Sequence, residues 1–69
     1  MNYKEKSDLI RIKIKELNEK GIQYKLFWNA CGMSKTNFYN YTGGKVRLKK
    51  DEVILLEKYL EENFNIQIK

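Results

Sequence analysis

"GMSKTNFYNYTGGK", residues 32–45, opens on Gly32, carries Gly43 and Gly44 before its final lysine, and has two asparagines, three aromatics and no acidic residue. A glycine followed two residues later by a serine can end one helix and cap the next, so Gly32 and Ser34 predict a helix start. That helix begins after Ser34 and ends at Gly43 and Gly44. Phe38 and Tyr41 are three residues apart and share a face, which makes them its packing side. At about 100° per residue, Thr36, Tyr39 and Asn40 then point the opposite way, with Lys35 at the flank.

Working outward, a short helix over about Tyr24 to Cys31 is rich in large apolar residues and stops at Gly32. Upstream, Ser7 is positioned to cap a helix running to about Lys20, with Ile10, Ile14 and Leu17 on one stripe and Gly21 at its end. The run "LIRIKIK" also alternates as a strand would. Downstream of the basic loop "KVRLKK", Asp51 opens a fourth helix in which Val53, Leu56, Leu60 and Phe64 face inward. The ending "FNIQIK" sets Phe64, Ile66 and Ile68 against Asn65, Gln67 and Lys69, the pattern of a short half-buried C-terminal β-strand. There are no repeats, linkers or low-complexity tracts. The expectation is one all-α domain over residues 1–69, a small helix bundle with its functional motif at about 24–42 and a dimerising tail at 61–69.

Sixty-nine residues bury only about 60% of their unfolded surface, so a compact helical core is the economical solution. No apolar run approaches the roughly 18 residues of a membrane span, and no signal peptide is visible, which predicts a cytoplasmic protein. Cys31 is the single cysteine and there is no histidine. An internal disulfide is therefore excluded, and no metal-ligand cluster or cofactor site is expected. Acid–base and nucleophilic catalysis would rest on scattered Lys, Tyr and carboxylates, so the chain reads as a non-enzyme without a small-molecule substrate. Cys31 reads as a buried small hydrophobe, and Phe27 and Trp28 as core rather than a base-stacking platform.

The net charge of +5 is unevenly distributed. Residues 20–50 contain Lys20, Lys25, Lys35, Lys45, Arg47, Lys49 and Lys50 and no acid; residues 1–19 carry +1 and residues 51–69 carry −3. A basic centre between mixed or acidic ends suggests a cationic face aimed at a polyanion, against the plainer reading of solvated lysines on a lysine-rich chain.

The segment "GIQYKLFWNACGMSKTNFYNYTGGKVRLKKDEVILLEKYL" resembles the helix-turn-helix of the Xre/Cro and phage-repressor family, over roughly residues 8 to 60. The Gly21-to-Gly32 spacing, the "GMS" turn, Phe38 and Tyr41, Gly44, and a basic loop leading into another apolar helix carry the likeness. It implies a bundle of four or five helices that binds operator DNA as a homodimer to control transcription. By position, Tyr24 would start the positioning helix and touch phosphate. Lys35, Thr36 and Asn40 would face bases, Tyr39 would contact base or backbone, and Lys45, Arg47 and Lys50 would grip phosphate or the minor groove. Ser34 and Asn37, at the start of the reading helix, complete the candidate DNA-binding set. The chain departs from the family at Trp28, where a small residue is usual, at Tyr24 in place of glutamine, and at Thr42 in place of an acid. The stretch 32–45 is also similar to the recognition segment of TetR-type regulators, which have a longer spacing before the turn and a large ligand domain. The lysine- and asparagine-rich, arginine-poor composition fits an AT-rich genome such as that of a phage or mobile element. The alternative from another class is a small protein-binding module, antitoxin-like, antirepressor or nucleic-acid-enzyme inhibitor, using the same basic face.

Overall fold

Asn2 opens the first helix: its side-chain oxygen accepts from the Glu5 N–H at 2.8 Å, and α1 runs Tyr3–Glu19. The computed structural model describes residues 2–68. Within them follow α2 (Tyr24–Cys31), α3 (Lys35–Thr42) and α4 (Lys50–Phe64). The chain is thus an all-α bundle, with no strand among the described residues and no described helix long and apolar enough to cross a membrane.

Ser7 does not cap α1. It lies inside the helix, 1% exposed, on the stripe continued by the fully buried Ile10 and Ile14. Both signals, a serine before an apolar stripe and a serine within one, look alike locally; Asn2 with Glu5 three residues on supplies the real cap. The alternating reading of "LIRIKIK" yields to the helical one, since Ile10 and Ile14 are buried while Ile12 is 49% exposed. A period of two would have put all three on one face.

α2 ends as expected. Gly32 adopts φ 73°, and the Met33 N–H reaches back to the Trp28 carbonyl at 2.9 Å, closing the helix with a left-handed residue that a Cβ would strain. α4 begins one residue before Asp51, where the Lys49 N–H donates to the Glu52 carboxylate at 2.8 Å. Its other end is set by Asn65 at φ 55°. That left-handed residue diverts the tail back over the bundle, with the Ile66 N–H on the Leu60 carbonyl and Ile68 only 6% exposed. The in–out alternation of the tail is therefore real without being a strand. Phe64 belongs to α4 and no neighbouring strand offers a ladder; Lys69 lies outside the described residues.

Ile10, Ile14, Phe27, Phe38, Tyr41, Val53, Leu56 and Leu60 form the fully buried core. α3 and α4 each pack on α1 and α2 but not on one another. Phe27 joins α2 to α4 through Tyr59 and Phe64, each with its ring centroid 5.9 Å away. Lys6 and Glu57, 3.0 Å apart and half-buried, link α1 to α4. The buried tie is polar: the Tyr41 hydroxyl donates to the Ser7 carbonyl, and the Leu48 N–H donates to Ser7 Oγ at 3.1 Å.

Ser7→Ala leaves the buried Leu48 N–H without a partner and should cost about 1–3 kcal/mol, whereas Tyr41→Phe removes a second bond to a carbonyl already used by the helix and should cost about 0.5–1.5 kcal/mol. Chemical denaturation of both variants checks the order; an equal or reversed order contradicts the assignment.

Burial pushes the Cys31 thiol up from 9.0 to about 11, with the Glu52 charge adding to the rise. Burial also raises the Tyr41 phenol above its ordinary 10.0. For both groups the unfolded chain gives up its proton first, so the folded state holds more protons and stability falls as pH rises. Stability should be flat from neutral pH to 9.0, then fall between 9.0 and about 11 through the thiol, at up to about 1.4 kcal/mol per pH unit. Tyr41 adds to the fall above 10.0. Urea unfolding of Cys31→Ala across this range should lose the part that starts at 9.0 and keep the later part; an unchanged profile would contradict this origin.

Candidate nucleic-acid interface

α3 is held from behind. Phe38 and Tyr41 are fully buried, and their rings meet at 5.8 Å. The amino end is capped by Ser34, whose Oγ accepts from the Asn37 N–H at 3.1 Å. At the other end the Gly43 and Gly44 N–H groups bond the Tyr39 and Tyr41 carbonyls, and Lys45 N–H reaches the Asn40 carbonyl at 2.9 Å. Gly44 takes the left-handed φ of 84° that this closure requires. Thr42 is also internal: it is 8% exposed, with Oγ1 donating to the Tyr39 carbonyl at 3.1 Å.

Fixing that face exposes the other. Ser34, Lys35, Thr36 and Asn37 lie in solvent, Tyr39 is 47% exposed, and Asn40 is half-buried at the margin of the outward set. Asn40 is thus less prominent than the helical spacing alone implies, because its turn is drawn down by the closure at Lys45.

Trp28 stands in the middle of α2 and does face α3, with its ring centroid 6.0 Å from Phe38 and 5.9 Å from Tyr39. A large residue fits there because it stays half-buried and wedges between the helices as an aromatic bracket. Tyr24, at the start of α2, adds to the bracket at 5.5 Å from Phe38 and 5.7 Å from Tyr39. Desolvation raises the Tyr24 phenol, and the nearby Tyr39 and Glu19 push the same way, so at neutral pH it is a protonated donor. Tyr24, Trp28 and Tyr39, with Gln23, Lys25 and Lys35, line an open recess of about 660 Å³. It has an aromatic floor and a cationic, amide-bearing rim.

A second open recess, of about 520 Å³, is lined by Asp8, Arg11, Gly44, Lys45, Val46 and Arg47. Lys45 and Arg47 are exposed, while Leu48 between them and α4 is buried and tied to Ser7. Arg11 is the residue the sequence reading missed: it pairs with Asp8 at 3.4 Å and looks like an ordinary solvated position on α1. Its one signal is its place one turn after Ser7, which becomes informative only once Ser7 is known to touch the basic loop. Lys50 lines neither recess; its Nζ sits 5.4 Å over the Tyr3 ring. Of the ten candidate residues, Tyr24, Lys35 and Tyr39 line one recess and Lys45 and Arg47 the other, while Ser34, Thr36, Asn37 and Asn40 on α3 and Lys50 on α4 line neither.

Charge pairing separates the chain in the same way. Among the described residues the ion pairs are Lys6–Glu57, Asp8–Arg11, Lys13–Glu16 and Lys58–Glu62, all within α1 and α4. None uses a cation from residues 20–50, so these seven positive charges have no carboxylate partner among the described residues. Exposed cations without carboxylate partners give their part of the surface a positive potential.

Comparison with protein-family models, curated proteins and solved structures finds no match to this chain.

Phe38→Ala should cost about 3–5 kcal/mol of stability, while Tyr39→Ala, which gives up only partly exposed ring contacts, should cost no more than about 1.5 kcal/mol. Thermal unfolding of the two variants checks this; comparable losses would mean that α3 is not anchored on one side as described.

Proposed function

We propose that this chain is a sequence-specific double-stranded DNA-binding transcriptional regulator of the helix-turn-helix kind, acting as a homodimer on a two-fold symmetric operator. The observation that carries the reading is the unpaired cationic charge around a short helix whose buried side is fixed and whose outer side presents Lys35, Thr36 and Tyr39. α2, the turn at Gly32 to Ser34, and α3 form two short helices on a tight link, the form in which a reading helix is presented to the major groove. That groove is about 12 Å wide and admits one helix.

In this reading Lys35 and Asn40 pair with purine edges, and the Thr36 methyl meets thymine. Asn40 acts at the edge of the contact, in keeping with its half-burial. Ser34 and Asn37 lie beside the backbone at the amino end of α3, where the helix dipole favours phosphate. Tyr24 donates its phenol proton to a phosphate, and Tyr39 lies between base and backbone. Lys45 and Arg47 bind phosphate or reach the minor groove from the loop after α3, and Lys50 adds field rather than a fixed contact. Backbone contacts set register and salt dependence, whereas base contacts set preference. Ile66 and Ile68 cover the chain's own core, so α4 is a better candidate than the tail for pairing two copies.

Mobility of mixed-sequence duplexes at two salt concentrations tests the reading: a salt-dependent shift is expected, and the absence of any shift at low salt would transfer the chain to the protein-binding alternative. Asn40→Ala should relax preference at one base pair by about 1–3 kcal/mol. Lys45→Ala should weaken all sequences alike and lower the salt slope by about 1. If selection from randomised duplexes finds the two variants altered in the same way, this division of roles is wrong.

A further inference from the structure

Where α2 and α4 lie side by side, large apolar side chains remain in solvent. Leu26 is 46% exposed and Leu55 45%. Leu26 and Ala30 are four residues apart on α2, and Leu55 and Tyr59 four apart on α4, so each pair occupies one stripe. The two stripes line a shallow groove of about 390 Å³. Lys58 and Glu62 border it, 3.9 Å apart along α4 and both largely exposed. An apolar strip with a charged rim has the make-up of an interface.

We infer that a second copy of this chain covers the groove, about a two-fold axis crossing α4 between Lys58 and Glu62. The inference rests on the DNA-binding reading for its geometry and on the groove for its chemistry. Such an axis sets Lys58 of each copy against Glu62 of the other, so the rim is complementary to itself, as a two-fold contact requires. The weak pair within each helix is exchanged for two pairs between helices. Nucleic acid is a poor occupant here, because α4 carries Asp51, Glu52, Glu57, Glu61 and Glu62 against Lys50 and Lys58.

The dimensions agree. Two reading helices one DNA turn apart are separated by about 34 Å, which puts each about 17 Å from the axis. The chain measures 26 × 25 × 18 Å, and half its longest dimension is about 13 Å. The axis must therefore pass on a side away from α3. α4 is compatible with that condition, since it packs on α1 and α2 and makes no contact with α3. A shallow strip of this kind belongs to the small end of interfaces, under about 1,200 Å² in total, where association is weak and reversible, so the dimer is expected to depend on concentration.

Sedimentation equilibrium of the full chain over a concentration series tests this, with circular dichroism checking that each variant folds. The wild type should show a monomer–dimer equilibrium, and Leu55→Glu should lose the dimer. Lys58→Glu and Glu62→Lys should each weaken it by about tenfold or more through like-charge contacts. Mixing those two variants in equal amounts restores opposite charges at both contacts and should restore dimer, as should the double substitution. A wild type that stays monomeric at every concentration overturns the inference and leaves the strip to a different protein. So does a dimer untouched by Leu55→Glu, or a mixture that fails to recover. Duplex binding is read separately: a dimer with these responses that leaves duplex unshifted rejects the DNA reading alone, and a chain that shifts duplex as a persistent monomer rejects this inference, and with it the homodimer part of the reading, while leaving DNA binding in place.

Discussion

One buried serine joins the parts of the molecule that matter for its proposed work. Ser7 receives the Tyr41 hydroxyl at its carbonyl and the Leu48 N–H at its own oxygen. Those two bonds tie the second turn of α1 to the last turn of α3 and to the loop that leads into α4. The loop carries Lys45, Arg47 and Lys49 in solvent, yet Leu48 is pinned inside. A loop free to wander would scatter its charges, and ordering it on a ligand would cost conformational entropy. Here the anchor is intramolecular and sits in the core, where an unmade bond to a backbone N–H is expensive.

Around that anchor the chain divides into a scaffold and a presenting surface. α1 and α4 hold the four ion pairs found among the described residues and supply Ile10, Ile14, Val53, Leu56 and Leu60 to the core. α2 and α3 keep their cations unpaired and meet through the bracket of Tyr24, Trp28, Phe38 and Tyr39. Tilted and edge-on aromatic contacts of this kind fix ring orientation as well as burying area. The outer half of the bracket, Tyr39, is left in solvent beside Lys35, so the groups that fix α3 and the groups offered to a partner are neighbours in sequence but opposite in direction.

The helices flanking Gly32 were legible in the sequence because their ends are local: a left-handed glycine, a serine cap three residues before the Asn37 N–H, and a glycine pair after Thr42. The placement of Phe38 and Tyr41 inside and Thr36 and Tyr39 outside follows from helical spacing alone. What was not legible depends on distant partners. Ser7 bonds a residue 41 positions away, so its pattern matched a cap. The alternation of Ile66 and Ile68 marks which side of the tail is covered, and says nothing of what covers it. Arg11 gains its place beside Lys45 only through the packing of α1 on α3, and Lys50 is drawn to Tyr3 across a similar gap in sequence. Trp28, one of three departures from the pattern the sequence resembles, is in the bundle a spacer through which α2 and α3 pack by aromatic rings.

The central claim is that the outer side of α3 and the loop behind it meet duplex DNA while α4 does not. Amide chemical-shift mapping during titration with a short duplex tests it residue by residue. The account predicts the largest changes at Lys35, Thr36, Tyr39 and Asn40 and across Lys45 to Arg47, with smaller ones near Tyr24 and little along the outer stripe of α4. Changes centred on Leu26, Leu55 and Tyr59, or none at low salt, would contradict it.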